Sequence, residues 1–216
     1  RIRSCFPEYQ RQDPNDMQLL ISPSSPYVRK TRVVLREANL MGKVEEVVVA
    51  TSPIKSAPEV VAANPLGKIP ALLRADGPVI YDSRVITRFL NDLSGANLYP
   101  QNSIWEILTL EATADAIMDA TVSMTYEMRL RPETEQSPNW LEVQWTKAAR
   151  GIAAVNSNWM HHLTGPLNIG QIGMACALSY VDLRHDARVW RNGNDALAKW
   201  HADFCTRDSM MATVPD

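Results

Sequence analysis

Along this chain the hydrophobic pattern changes type once, and that change restricts the possible folds more than any other feature. Up to about Leu93 the apolar segments are short and alternate in kind. Met17–Ile21 (MQLLI) ends at a Ser/Pro cluster and reads as a strand. Val28, Thr31, Val34, Leu35 and Ala38 follow at helical spacing, with basic residues between them. Val44–Ala50 (VEEVVVA) is β-branched and predicts a second strand. Ser56-Ala57-Pro58-Glu59 has the S-x-x-E capping pattern with proline in the first turn, so a short helix is expected to run toward Asn64. Ile69–Leu73 and Val79–Tyr81 flank Asp76-Gly77, the pattern of a hairpin. From Ser83 onward Val85, Ile86, Phe89, Leu90 and Leu93 share one helical face. The order β-α-β-α-β-β-α puts a crossover helix between the first two strands, hence a parallel pair, and the hairpin adds an antiparallel edge.

After Ser94-Gly95-Ala96-Asn97 no strand pattern returns. Ile104–Met128, Trp140–Leu163, Ile169–Leu183 and Asp195–Cys205 carry helix-like spacing, separated by turn-rich pieces at 131–139 and 164–168. Mixed elements followed by helices alone predict an α/β domain over residues 17–94, a linker over 95–102 and an all-helical domain over 103–216. Residues 1–16 precede the first apolar run and are expected to be an extension or an expression remnant outside the fold.

A chain of 216 residues is long enough for a core in each of two such domains. Its 22 basic and 24 acidic residues nearly cancel, so no basic excess points to nucleic acid or anionic lipid. No apolar run approaches the roughly 18 residues that cross a bilayer, and the polar N-terminus has no signal-peptide core. Cys5, Cys176 and Cys205 are odd in number and far apart, which is neither a disulfide framework nor a metal cluster. A reducing, cytoplasmic setting is the default expectation.

Three clusters hold the residues suited to chemistry. In Ser22-Pro23-Ser24-Ser25-Pro26-Tyr27-Val28-Arg29-Lys30, Ser25 suits an N-cap and Pro26 the first helical position. That is either an ordinary helix start or an anion site, where unsatisfied N–H groups, the helix dipole and a serine hydroxyl would lower the pKa of a thiolate. Asn64-Pro65-Leu66-Gly67-Lys68-Ile69-Pro70-Ala71 is either a tight connection or an open strand end that pairs with an extended peptide, with Lys68 placed for a carboxylate. Pro70 at a strand start fits a free edge or a cis bond. Asp82-Ser83 is an ordinary cap or a carboxylate for an ammonium group beside free N–H groups for a second carboxylate.

In this order, ahead of an all-helical half, these clusters resemble the cytosolic glutathione transferase superfamily, and more narrowly its bacterial serine-type members with an S-P-[YF]-x-R-K segment. The resemblance extends over residues 17–214 and includes Ala114–Ala120 (ADAIMDA) and Phe204–Pro215 (FCTRDSMMATVP). It implies a thioredoxin-like domain followed by a helical one. It also implies that Ser25 stabilises the glutathione thiolate, with Ser22 or Ser24 the next candidates. Ile69, before a cis Pro70, would pair with the cysteinyl backbone; Lys68 would meet the glycine carboxylate; Asp82 and Ser83 would hold the γ-glutamyl end. The implied activity is conjugation of glutathione, as co-substrate and without a metal, to a small apolar electrophile by a homodimer. The competing reading is a non-catalytic glutathione or ligand carrier or stress-response protein. A disulfide oxidoreductase is disfavoured because neither Ser25 nor Val28 is cysteine.

Other residues suggest plainer roles. The four histidines lack metal-ligand spacing and are expected at surfaces or caps. Asp115 and Asp119, four apart, suit a solvated helix face or a cap. Arg29, Lys30, Arg32 and Arg36 are expected to form a basic helix surface, and Cys176 a core residue. Trp105, Trp140, Trp145 and Trp159 are expected mostly in packing. Met118, Val122, Tyr126 and Trp159 are candidates for either core or a second-substrate pocket. Asn168 should cap the next helix with Gln171 returning the bond, softened by Gly170 and Gly173 at roughly 0.5–1 kcal/mol each.

Overall fold

In a computed structural model, residues 17–215 are described, and the expectations for residues 1–16 lie outside them. Contacts divide the chain between Gly95 and Ala96 into two compact units.

The first unit is a three-stranded sheet with helices. Strands β1 (Met17–Ile21) and β2 (Val44–Val48) are parallel, joined by helix α1 (Pro26–Glu37). Strand β3 (Ala71–Leu73) runs antiparallel on the other side of β1, giving the order β2-β1-β3. Helix α2 (Pro58–Ala63) covers the sheet face that presents Leu20 and Ala71, with Val60 and Ala63 in that core. Helix α3 (Ser83–Ser94) packs on α1.

Two local expectations change. The second hairpin arm, Val79–Tyr81, is not a strand: it pairs through one bridge, Leu72 with Ile80, whose N–H and C=O groups exchange hydrogen bonds of 2.9 and 3.0 Å. Pro78 has no N–H to extend the ladder, and its carbonyl is taken by Arg74 Nε at 3.0 Å. The N-cap of α2 is Ala57, not Ser56, and it makes no side-chain cap bond; the Ala57 N–H donates to Thr51 Oγ1 at 3.1 Å. Ser56 instead lies against Gly67, where a Cβ would come 2.7 Å from its Oγ; Gly67 also sits at φ +64°, so the turn before Lys68 requires glycine on both counts.

The expected basic surface of α1 is also corrected. Lys30 is fully buried and Arg29 nearly so, while Arg32 and Arg36 both pair with Glu46 of β2, at 2.9 and 2.6 Å. Lys30 lies one helical turn from Pro26, Val33 and Val34, all buried, so the period carries it inward.

The second unit contains helices α4 (Ile104–Leu130), α5 (Pro138–Asn158), α6 (Met160–Leu163), α7 (Ile169–His185), α8 (Asp195–Phe204) and α9 (Asp208–Met211). α7 is buried along most of its length, Cys176 included, and packs on α4. Gly170 permits this: a Cβ there would lie 2.9 Å from Leu110 Cδ2. The glycine read from sequence as a weakness is a close helix approach. Asn168 caps α7, accepting from the Gln171 N–H at 3.1 Å, but Gln171 does not return the bond. Its Nε2 lies 3.1 Å from each of the carbonyls of His162, Gly165 and Pro166, tying down the preceding loop.

Several side chains differ from expectation. Trp105 is 76% exposed and Trp140 also faces solvent, whereas the buried indole is Trp190, anchored by Nε1 donating to Asp182 at 2.7 Å. His185 and His201 are buried, and so is Asp115, while Asp119 is exposed. Met118 belongs to the core and Tyr126 is partly exposed.

Candidate glutathione site

Strand register alone brings the three clusters to one end of the sheet. Leu20 of β1 pairs with Ala71 of β3, so the end of β1, which leads into Ser22–Ser25, neighbours the start of β3, which follows Ile69-Pro70. Leu72 bridges Ile80 in antiparallel sense, so the chain running on to Asp82 returns toward Pro70. Both the Ile69–Pro70 and the Tyr81–Asp82 peptide bonds are cis.

Ser25 is the N-cap of α1, and Pro26 follows at the first helical position. Its hydroxyl oxygen accepts the Val28 N–H at 3.4 Å. This uses an acceptor lone pair and leaves the hydroxyl proton to donate to an anion. Lys68 is exposed just after the Asn64–Gly67 turn, Ile69 is partly buried against the α2 core, and Pro70 is buried. Asn64, itself buried, organises this loop: its Nδ2 donates to the Lys68 carbonyl at 2.9 Å and its Oδ1 accepts from Leu66 N–H at 3.0 Å.

Asp82 caps α3, with Oδ1 accepting from the Arg84 N–H at 3.0 Å and Oδ2 facing the Arg84 guanidinium at 3.0 Å. Partial burial pushes its carboxyl up, but the Arg84 hydrogen bonds and charge, together with the charge of Lys30, outweigh this and hold it below the usual carboxylate range. Ser83 is only 3% exposed, and its carbonyl accepts from Thr87 at 2.9 Å. Three roles escape sequence reasoning: the Asn64 pin, Arg84 on Asp82, and the buried Lys30 charge felt at Asp82. The helical period of α1 signals the burial of Lys30, and N-P-L-G carries the Asx-turn signal of Asn64.

Among the described residues no group of three or more His, Cys, Asp or Glu side chains is placed to hold a metal ion, and no helix is long and apolar enough to cross a membrane. A groove lined by Thr113, Ile117, Gln144 and Gly151, between α4 and α5, holds no nucleophilic cysteine or histidine.

A thioredoxin-like β/α unit with a serine-capped first helix, followed by an all-helical unit, defines the class of fold. The family model for the glutathione S-transferase N-terminal domain matches residues 24–93. A glutathione transferase family member from Pseudomonas fluorescens Pf-5, solved with bound glutathione, is 39% identical; the match covers 93% of this chain and all of that one, with a TM-score of 0.91. A second structure from the same strain, with bound S-(propanoic acid)-glutathione, is 38% identical over 93% of this chain and 100% of that chain, with a TM-score of 0.86. The uncharacterized GST-like protein YibF of Escherichia coli is 28% identical over 92% of this chain and 98% of its own length. The chain belongs to the glutathione transferase family.

Proposed function

We propose that this protein is a serine-type glutathione transferase that conjugates the glutathione thiolate to a small apolar electrophile. The observation that carries this reading is the Ser25 hydroxyl, which caps α1 through a lone pair and keeps its proton for an anion at the helix N-terminus. Glutathione presents two carboxylates, one ammonium and one thiol. The residues at this end of the sheet supply a partner for each: Lys68 for the glycine carboxylate, the first-turn N–H groups of α3 with Ser83 for the γ-glutamyl carboxylate, and Asp82 for the ammonium. The Ile69 backbone, before buried Pro70, pairs with the cysteinyl unit. The related Pseudomonas structures, one with glutathione and one with a glutathione thioether, support the same ligand here.

In the reaction the glutathione S–H loses its proton to solvent, and the thiolate is stabilised by the Ser25 O–H and the positive end of α1. Its electron pair forms a carbon–sulfur bond while the leaving group departs with the bonding pair, as chloride from an aryl halide. A homodimer with a detoxification role is what membership of this family implies, and the dispersed cysteines fit a reducing, cytoplasmic setting.

Calorimetric titration with glutathione followed by a conjugation assay on an aryl halide tests the proposal. Binding with turnover that falls in Ser25→Ala is the expected result. Binding with no turnover across several electrophiles would instead assign a non-catalytic glutathione carrier.

A further inference from the structure

The helical unit contains a second cluster of reactive side chains that conjugation does not use. Cys205 is half-buried and follows the last residue of α8. Its Sγ lies 3.3 Å from Nε2 of His201, one turn earlier, and 3.8 Å from Oγ of Ser179 on α7. His201 is 4% exposed and its Nε2 also meets Ser179 Oγ at 3.0 Å. The ring stands edge-on to Trp190, with centroids 5.7 Å apart. Its other nitrogen, Nδ1, faces Asp182 Oδ2 at 3.9 Å. A carboxylate on that side favours the tautomer with the proton on Nδ1, which leaves the Nε2 lone pair facing both the Ser179 hydroxyl at 3.0 Å and the Cys205 thiol at 3.3 Å.

We infer that Cys205 is a thiol activated by His201 that undergoes exchange with small disulfides, forming a mixed disulfide and so making this corner of the α7–α8 pair a modification site. The Cys205 proton passes to His201 Nε2, and the thiolate attacks one sulfur of a low-molecular-weight disulfide such as glutathione disulfide. A new S–S bond forms as the old one breaks. Cys205 is oxidised, and the departing sulfur is reduced, leaving as a thiolate that takes up the proton held by His201.

The charged surroundings act in both directions. The Arg191 charge interacts with Cys205 and favours the thiolate. Asp182 opposes it less than a bare carboxylate would, because Arg191 grips it at 2.6 and 2.7 Å. The C-terminal end of α8 also opposes a negative charge, since the Cys205 N–H lies among the last carbonyls of that helix. The shortest-range support for the thiolate is His201 at 3.3 Å, once its imidazole carries the transferred proton. Cys176, fully buried in α7, has no comparable access and serves as an internal control.

Rate alone discriminates poorly. A thiol pKa lowered by about two units raises the thiolate fraction at pH 7 roughly 25-fold, but the lower basicity cuts the reactivity of each thiolate roughly eightfold, for a net gain of about threefold. The pH midpoint of reaction is therefore the decisive quantity. The full chain carrying Cys5→Ser is treated with glutathione disulfide and, separately, hydroxyethyl disulfide, and adducts are located by peptide mass spectrometry. Alkylation of Cys205 by iodoacetamide is then followed against pH. The expected result is a single adduct, on Cys205, with both disulfides, unchanged by Ser25→Ala, and an alkylation midpoint below the free-thiol value of about 8.5. His201→Gln is expected to return the midpoint to about 8.5 or above. Should His201→Gln not fold, the midpoint of the protein with native His201 and the adduct map decide the matter. No Cys205 adduct in the folded protein, or a midpoint at or above that of a free thiol, would overturn the inference. Failure of the glutathione site would show separately, as loss of glutathione binding with the Cys205 adduct intact.

Discussion

The buried carboxamide of Asn64 holds the carbonyl of Lys68 at 2.9 Å, fixing the segment that presents the lysine and leads into the cis Ile69–Pro70 bond. The same side chain accepts from Leu66 N–H, so it closes the loop from both ends. Asn64→Ala leaves that carbonyl and N–H to find other partners, at a cost of about 1–3 kcal/mol. Urea unfolding should show this loss, and calorimetry should show weaker glutathione binding, because the Ile69 backbone loses its fixed position.

Gly170→Ala reverses the sign that helix propensity assigns. Alanine gains roughly 0.5–1 kcal/mol over glycine inside a helix. Here its Cβ would meet Leu110 Cδ2 at 2.9 Å, and overpacking of this kind costs about 1–3 kcal/mol. Thermal unfolding should therefore show a lower Tm. Adding Leu110→Ala should make Gly170→Ala less costly than it is alone, and strict additivity would contradict the contact.

His185 predicts an acid-side loss of stability. Burial holds its pKa below the ordinary value, aided by the Arg188 and Arg184 charges and opposed by the bond to the Thr121 carbonyl at 2.9 Å. A depressed histidine pKa means that the unfolded chain binds the proton first. The contribution is present above the unfolded pKa of about 6.5 and is lost as pH falls through the folded value. Unfolding free energy measured from pH 8 downward should fall in that window, and His185→Gln should flatten the slope there.

Asp82→Asn separates charge from capping, since asparagine caps a helix as well as aspartate. The Asp82 carboxyl is held low, so its charge persists below the unfolded value of about 3.9 and disappears as pH falls through the folded one. Glutathione affinity should drop about tenfold in the variant at pH 7, with little change in Tm. In the parent protein, affinity should fall over that acid window, whereas the variant should show a smaller fall.

Much of the sheet unit is legible in sequence because its signals are local. MQLLI, S-P-Y and the Ile69-Pro70 step each fix a conformation through their own residues. The convergence of Ser25, Pro70 and Asp82 follows from strand register, which those local signals imply. What escapes depends on neighbours distant in sequence. Arg74 reaches forward across the turn and claims the Pro78 carbonyl that the fourth strand would have used. Leu110 gives Gly170 its purpose, and Trp190 displaces the expected tryptophans as the buried one. Lys30 is an intermediate case: its helical position points inward, but a lysine there contradicts residue-type expectation.

The central claim is that Ser25 stabilises the glutathione thiolate, and titrating the ultraviolet absorbance of bound thiolate in the parent protein and in Ser25→Ala tests it most directly. A hydrogen bond to a charged group contributes about 1.5–3 kcal/mol, or roughly one to two pKa units. The bound thiol should therefore titrate one to two units higher in the variant, while Tm falls by no more than a lost cap of about 1 kcal/mol allows. An unchanged thiol pKa in a folded, glutathione-binding Ser25→Ala protein would contradict the account.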